Sequence, residues 1–208
     1  MDDKMKNVFE PPQKVQKMYE AIADFLRENR DITTVKVSDI TSRAGIGKGT
    51  AYEYFSSKEE ILVHATLWLS FRQIQEMAEC AGKLTSFRDK FFFILDWIQT
   101  HKEYDILILR SMKGSFLGEC DKIKEYVPME LADQLRQYVA GQINELMDQG
   151  YKEGAFSEQN VEKRIMIFFG TMMQYHFGTI NRQEFASIVM NQEELREFTY
   201  QCMVKALN

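Results

Sequence analysis

Apolar residues recur at helical spacing from the start of the ordered pattern. Val15, Met18, Ile22, Phe25 and Leu26 form one stripe, as expected of a helix that buries a single face. Pro11 and Pro12 precede it, where a missing N–H costs nothing. Asn29, Arg30 and Asp31 end it. A second helix is predicted to begin near Ser38, whose hydroxyl can cap the first turn, with Asp39 favourable to the helix dipole. Ile40 and Ala44 share a face, and Gly45 follows at once. Glycine there tolerates the left-handed backbone of a sharp turn. Ile46 can plug the gap between two helices, and Gly47 opens the next. That third helix, residues 48–55, is short. Ala51 and Phe55 share its inward face, while Lys48, Thr50, Tyr52 and Tyr54 occupy the remaining arc. Ser57 and Glu60 have capping-box spacing, and a fourth helix runs through Ile61, Ala65, Trp68, Leu69 and Arg72 towards Cys80.

The helical texture continues to the end. Residues 86–100 carry Phe87, Phe91, Phe92, Phe93 and Trp97. A helix is predicted over about 104–117, and Pro128 opens a long one through Leu131, Leu135, Tyr138, Val139, Ile143 and Leu146. It ends around the glycines at 150 and 154. Ser157 is a candidate cap for a helix over 158–180, and a last helix spans about 193–207. The chain has only three prolines, and its strand signal is weak and confined to Val35 and Val37. The expectation is an all-α protein. A three-helix N-terminal domain, residues 11–57, is followed by a larger helical domain, residues 58–208.

Composition adds boundaries to this picture. Over 208 residues the chain is 45% hydrophobic and 27% charged, as in an ordinary globular protein, with a formal net charge of −5. That balance argues against a surface that coats nucleic acid, but not against a local basic patch. The first residues contain no apolar signal-peptide core, and no apolar run approaches the length that crosses a bilayer. A cytoplasmic protein with no membrane association is expected. The three cysteines, Cys80, Cys120 and Cys202, are widely spaced and read as reduced thiols. His64, His101 and His176 have no metal-ligand spacing. No phosphate-cradling glycine loop, nucleophile elbow or metal triad points to an enzyme, and no cofactor or metal is expected.

Two helices joined by a glycine turn form a helix-turn-helix, a corner that many bundles use without touching DNA. Three details favour DNA here. The second helix is short, which suits a major groove better than core packing. Its outer arc offers lysine, threonine and two tyrosines, all able to reach phosphates. Lys58 places a cation at a helix N-terminus against the dipole, which suggests an anionic partner.

The string Val37-Ser-Asp-Ile-Thr-Ser-Arg-Ala-Gly-Ile-Gly-Lys-Gly-Thr-Ala-Tyr-Glu-Tyr-Phe-Ser-Ser-Lys-Glu-Glu-Ile-Leu62 resembles the signature of the TetR-type (tetracycline-repressor-type) transcriptional regulators. The resemblance is dense over these residues; beyond them it rests on length and helical texture. It implies that Lys48, Gly49, Thr50, Tyr52 and Tyr54 hold the recognition-helix positions that meet double-stranded operator DNA. Thr50 and Tyr54 fall at phosphate-contact positions, and Lys58 matches the family's phosphate-binding lysine. Ser38 and Arg43, on the supporting helix, add backbone contacts. Two departures stand out: Gly47 replaces the usual serine or threonine cap, and Ala51 is smaller than the common bulky residue. Residues 1–60 hold 10 Lys+Arg against 11 Asp+Glu, so any positive patch must come from local arrangement.

A single short helix reads few base pairs, so a symmetric homodimer on a near-palindromic operator is expected. Residues 158–180 are apolar on more than one face, more than packing within one subunit requires. Phe169, Met173 and Phe177, with Phe198 and Cys202 of the last helix, are the dimer candidates. Phe91, Trp97, Tyr104, Met112, Phe116, Tyr138, Phe168, Met172 and His176 are candidates to line a pocket for a small hydrophobic effector. Periodicity alone gives most of these residues to an ordinary core, and only the resemblance favours a pocket. The function expected is a ligand-responsive transcriptional regulator, a repressor released by its effector. The alternative is a small-molecule-binding or protein-interaction module on the same fold without operator binding.

Overall fold

The computed structural model describes residues 10–32, 34–101, 126, 129–180 and 190–208. Among these residues every regular element is an α-helix. In chain order they are α1 (Gln13–Arg27), α2 (Val37–Arg43), α3 (Lys48–Tyr54), α4 (Lys58–Gly82), α5 (Phe87–Thr100), α6 (Met129–Lys152), α7 (Val161–Ile180) and α8 (Gln192–Ala206). The helix expected over 104–117 lies outside the described residues. The weak strand signal comes to nothing among them: Val35 and Val37 are buried in the first core.

The chain divides into two compact units. The first takes residues 1–74 and 102–135, the second residues 75–101 and 136–208. Helices α4 and α6 each begin in the first unit and end in the second.

The first unit buries the stripe of α1 as its spacing requires: Val15, Met18, Tyr19, Ile22 and Phe25 are all enclosed. Pro12 is the N-cap of α1. Arg30 donates its N–H to the Phe25 carbonyl at 2.9 Å, and Asn29 adopts φ 55° between them. Asparagine is among the few residues besides glycine that accept this conformation. Helix α2 starts two residues earlier than the cap reading of Ser38 requires. Lys36 is its N-cap, and the Asp39 carboxylate reaches back to accept the Lys36 N–H at 3.1 Å. Ser38 is therefore already inside the helix, on its exposed side.

In the second unit the Ser86 hydroxyl caps α5 by accepting the Asp89 N–H at 3.1 Å. Phe87, Phe91, Ile94 and Leu95 point into a core completed by Ile143, Met147, Phe168, Tyr175, Tyr200 and Met203. The Glu153 carboxylate closes the start of α5, accepting the Phe87 N–H at 2.9 and 3.1 Å. The cap expected at Ser157 is displaced to Asn160, whose side-chain oxygen accepts the Lys163 N–H at 2.9 Å. The reason is the end of the chain: the N–H groups of Ser157 and Glu158 both donate to the Leu207 carbonyl, at 3.3 and 2.8 Å. Those bonds hold residues 157 and 158 outside the helix. Among the described residues of this unit Arg164 is a buried charge, paired at 2.6 Å with Asp148.

Gly150 marks the tightest approach in this core. A Cβ there would lie 2.7 Å from the Phe156 ring and 2.9 Å from the Phe87 ring, and both rings are buried. Gly150→Ala is expected to destabilise the protein by about 1–3 kcal/mol through overpacking, although alanine is the better helix former. Urea unfolding with unchanged far-ultraviolet circular dichroism in the native baseline checks this.

Candidate nucleic-acid interface

The turn between α2 and α3 is set by backbone geometry. Ala44 and Ile46 donate to the Ile40 and Thr41 carbonyls, each at 2.9 Å, and Gly45 between them adopts φ +66°. The chain then straightens at Gly47, the N-cap of α3. Gly47 supplies no side-chain bond, and its carbonyl accepts the Thr50 N–H at 3.0 Å. A seven-residue helix follows. Ala51 is wholly enclosed and Phe55, its C-cap, is buried, while Lys48, Gly49, Tyr52 and Tyr54 are exposed and Thr50 is half-buried. The small size of Ala51 thus lets α3 lie close on the core. Tyr52 is 49% exposed, a large flat surface left in water, with the Lys48 ammonium 6.0 Å from its ring centre.

Arg43 has local commitments. Its guanidinium pairs with Glu28 and lies 4.2 Å from the Phe25 ring centre. The hydrogen bond from Arg43 holds the Glu28 carboxyl below its ordinary range, and Glu28 in turn raises Arg43. The pair is therefore charged at neutral pH and dissolves only as acid protonates Glu28. Ser38 is exposed on α2, and Lys58 is half-buried in the first turn of α4.

The expected capping box at α4 forms with its return half shifted by one residue. The Ser57 hydroxyl accepts the Glu60 N–H at 3.0 Å. The Glu60 carboxylate reaches past Ser57 to the Ser56 N–H at 2.6 Å and the Ser56 hydroxyl at 2.7 Å. Two residues that the pattern did not single out also meet here. His64 sets its ring edge-on to Phe55, centroids 5.7 Å apart, and its Nε2 bonds the Tyr126 carbonyl at 2.8 Å. A contact between residues so far apart in the chain leaves no trace in local spacing.

The candidates in the second unit separate by burial. Phe91 and Phe168 are core residues whose rings meet edge-on, centroids 6.2 Å apart. Trp97, Tyr138, Met172 and His176 are half-buried. Trp97 stacks on His101 at 4.0 Å, and burial, then Glu79 and Glu145, push the Tyr138 phenol upward. Tyr104, Met112 and Phe116 lie outside the described residues. Phe169, Met173, Phe177 and Phe198 are exposed, whereas Cys202 is half-buried. Met166, which the pattern passed over, is the most exposed of the α7 apolar residues at 73%. Among the described residues no group of His, Cys, Asp or Glu is placed to hold a metal ion, and no helix is long and apolar enough to cross a membrane.

Residues 26–65 match the profile of the bacterial regulatory proteins of the tetR family. No protein of curated function matches the sequence. Among solved structures the chain is similar to the transcriptional regulator FadR from Bacillus subtilis in complex with stearoyl-CoA. That match has 18% identity and a TM-score of 0.59, and covers 93% of this chain and 97% of that one. A TetR transcription regulator from Haloarcula marismortui matches at 14% identity and a TM-score of 0.60, over 93% and 96% of the two chains. The fatty acid degradation regulator FadR from Bacillus halodurans matches at 16% identity and a TM-score of 0.59, over 94% and 98%. At these identities the likeness establishes a common fold along almost the whole chain.

The glycine turn gives a direct test of the local geometry. A Cβ at Gly45 would meet nothing within 4 Å, so its substitution is opposed by backbone strain alone. Gly45→Ala is expected to destabilise the protein by about 1 kcal/mol through the left-handed φ. Gly45→Asn should lose less, and thermal unfolding of the two variants beside the wild type measures the difference.

Proposed function

We propose that the chain is a TetR-type regulator, a reading supported by the family match over residues 26–65 and by the shared fold, and that it is a ligand-responsive repressor released from a near-palindromic operator by a small hydrophobic effector. Residues 11–57 form the DNA-binding head and residues 58–208 the effector-binding and dimerisation part. The observation that carries the reading is the exposed arc of α3. A helix this short, placed after a glycine turn, leaves Lys48, Gly49, Tyr52 and Tyr54 in solvent with Thr50 at their margin. Such an arc suits the major groove, where side chains and close backbone approach serve phosphates and base edges. Ser38, Arg43 and Lys58 add contacts to the DNA backbone, Arg43 by exchanging Glu28 for a phosphate.

The dimer reading is supported by an apolar row on α7. Met166, Phe169, Met173 and Phe177 follow one another at three- or four-residue spacing and are all exposed, and α8 adds the exposed Phe198. An apolar strip of this kind on a soluble protein marks a contact surface. Cys202, half-buried one turn after Phe198 on α8, remains a candidate from the sequence. For the effector, Trp97, Tyr138, Met172 and His176 are the better candidates among the described residues, because Phe91 and Phe168 are spent on the core. Tyr104, Met112 and Phe116 remain candidates from the sequence. Stearoyl-CoA, the ligand of one structural relative, is a rational first probe of a hydrophobic effector site.

DNA from the region upstream of the protein's own gene is the substrate for the decisive binding assay. Lys58→Ala should weaken binding to all sequences alike and lower the salt slope by about one unit. Tyr52→Ala should weaken binding and change sequence preference. Wild-type protein that binds this DNA no better than random DNA would defeat the operator reading. Met173→Glu is expected to convert a dimer into a monomer in sedimentation at micromolar concentration; an unchanged dimer would place the interface elsewhere. An effector must favour one of two states, and linkage then makes DNA and effector weaken each other by the same factor. A probe that raises the melting temperature and leaves operator affinity unchanged would defeat the allosteric part.

A further inference from the structure

We propose that His64 is a positioning residue for the recognition helix, anchored by the backbone carbonyl of Tyr126. The inference rests on the operator reading for its consequence, but its geometry stands apart from it. His64 lies on α4, half-buried, within the first compact unit. A carbonyl can only accept, so the His64 Nε2 at 2.8 Å from it carries the hydrogen. That bond fixes the imidazole plane. The ring then meets Phe55 edge-on, with an interplanar angle of 86°. Phe55 is the residue that ends α3: it is the C-cap, and its N–H closes the last turn on the Ala51 carbonyl at 3.0 Å.

The route is therefore continuous from Tyr126 to His64, from His64 to Phe55, and from Phe55 into the helix that carries Tyr52 and Tyr54. A second, longer link runs beside it, the Ser57 hydroxyl donating to the Tyr126 phenol oxygen at 3.4 Å. Ser57 is also the cap of α4. Tyr126 thus touches both the cap of α4 and the ring that braces α3. In sequence it stands three residues before α6, a helix that continues into the second unit. Operator affinity then answers to where the backbone at Tyr126 lies, and an event that shifts this carbonyl loosens the end of the recognition helix without touching DNA.

The test reads the recognition helix with and without DNA. His64→Phe keeps an aromatic ring against Phe55 and removes the N–H. Amide hydrogen exchange over residues 48–55 of the free, full-length protein should accelerate about tenfold, the loss expected of one half-buried hydrogen bond. Affinity for the upstream DNA should fall by a similar factor, with the salt slope unchanged because no phosphate contact is removed. Tyr126→Phe, which keeps the carbonyl, should leave exchange over 48–55 close to wild type. Exchange in His64→Phe equal to wild type overturns the proposal. Faster exchange in a protein whose wild type binds no DNA supports His64 as the brace of α3 while the operator reading falls. If His64→Phe does not fold, His64→Gln decides, since it keeps a donor and gives up the ring that meets Phe55. Exchange over 48–55 faster than wild type supports the ring as the brace, and exchange equal to wild type overturns the proposal.

Discussion

A seven-residue helix is too short to persist in water by itself, and α3 is that long. Its existence depends on one contact, the burial of Ala51 and Phe55 against the first core. Phe55 meets Tyr19 with ring centroids 6.2 Å apart, and Tyr19 meets Trp68 at 5.5 Å. The aromatic seam joins α1, the end of α3 and the body of α4. Everything exposed on α3 is held in place by what lies beneath it. The glycine turn aims the helix, and the seam keeps it there. The supporting helix shares this core through Ile40, which is fully enclosed.

Charge has a smaller part, and a local one. The first sixty residues are close to neutral, with 10 Lys+Arg against 11 Asp+Glu, so net charge gives them no pull on an anionic partner. Several of its charges are turned to local structure instead: Asp39 closes the start of α2, Glu60 the start of α4, and Glu28 holds Arg43. Lys48 and Tyr52 are left on the exposed arc.

The second unit obeys a different rule. Its core is filled by aromatic rings from α5, α7 and α8, with Phe91 meeting both Phe168 and Tyr200. Packing at crystal-like density leaves little tolerance around Gly150. Leu207 is part of the same enclosure, because its side chain is buried while its carbonyl ties residues 157 and 158. Once α7 has given Phe168, Tyr175 and the half-buried Met172 to the core, an apolar row still faces outward. That surplus, more than any count of hydrophobic residues, separates the interface candidates from the core.

The sequence by itself determined the order of helices among the described residues, the turn at Gly45 and the identity of the arc on α3. These depend on interactions within a few residues: helical spacing of apolar groups, a glycine that accepts φ +66°, and caps three residues from their partners. It also carried the family resemblance, because the string 37–62 packs all of those local rules together. Only the tertiary structure decided the rest. Ser157 has the right chemistry for a cap, yet Leu207 claims its backbone. Phe91 and Met173 are both large and apolar in sequence, yet one is enclosed and the other open to solvent. His64 has no motif around it, and its role comes from Tyr126, which folding alone brings within reach. Local propensity is written in neighbouring residues, whereas burial and long-range bonds depend on which faces meet.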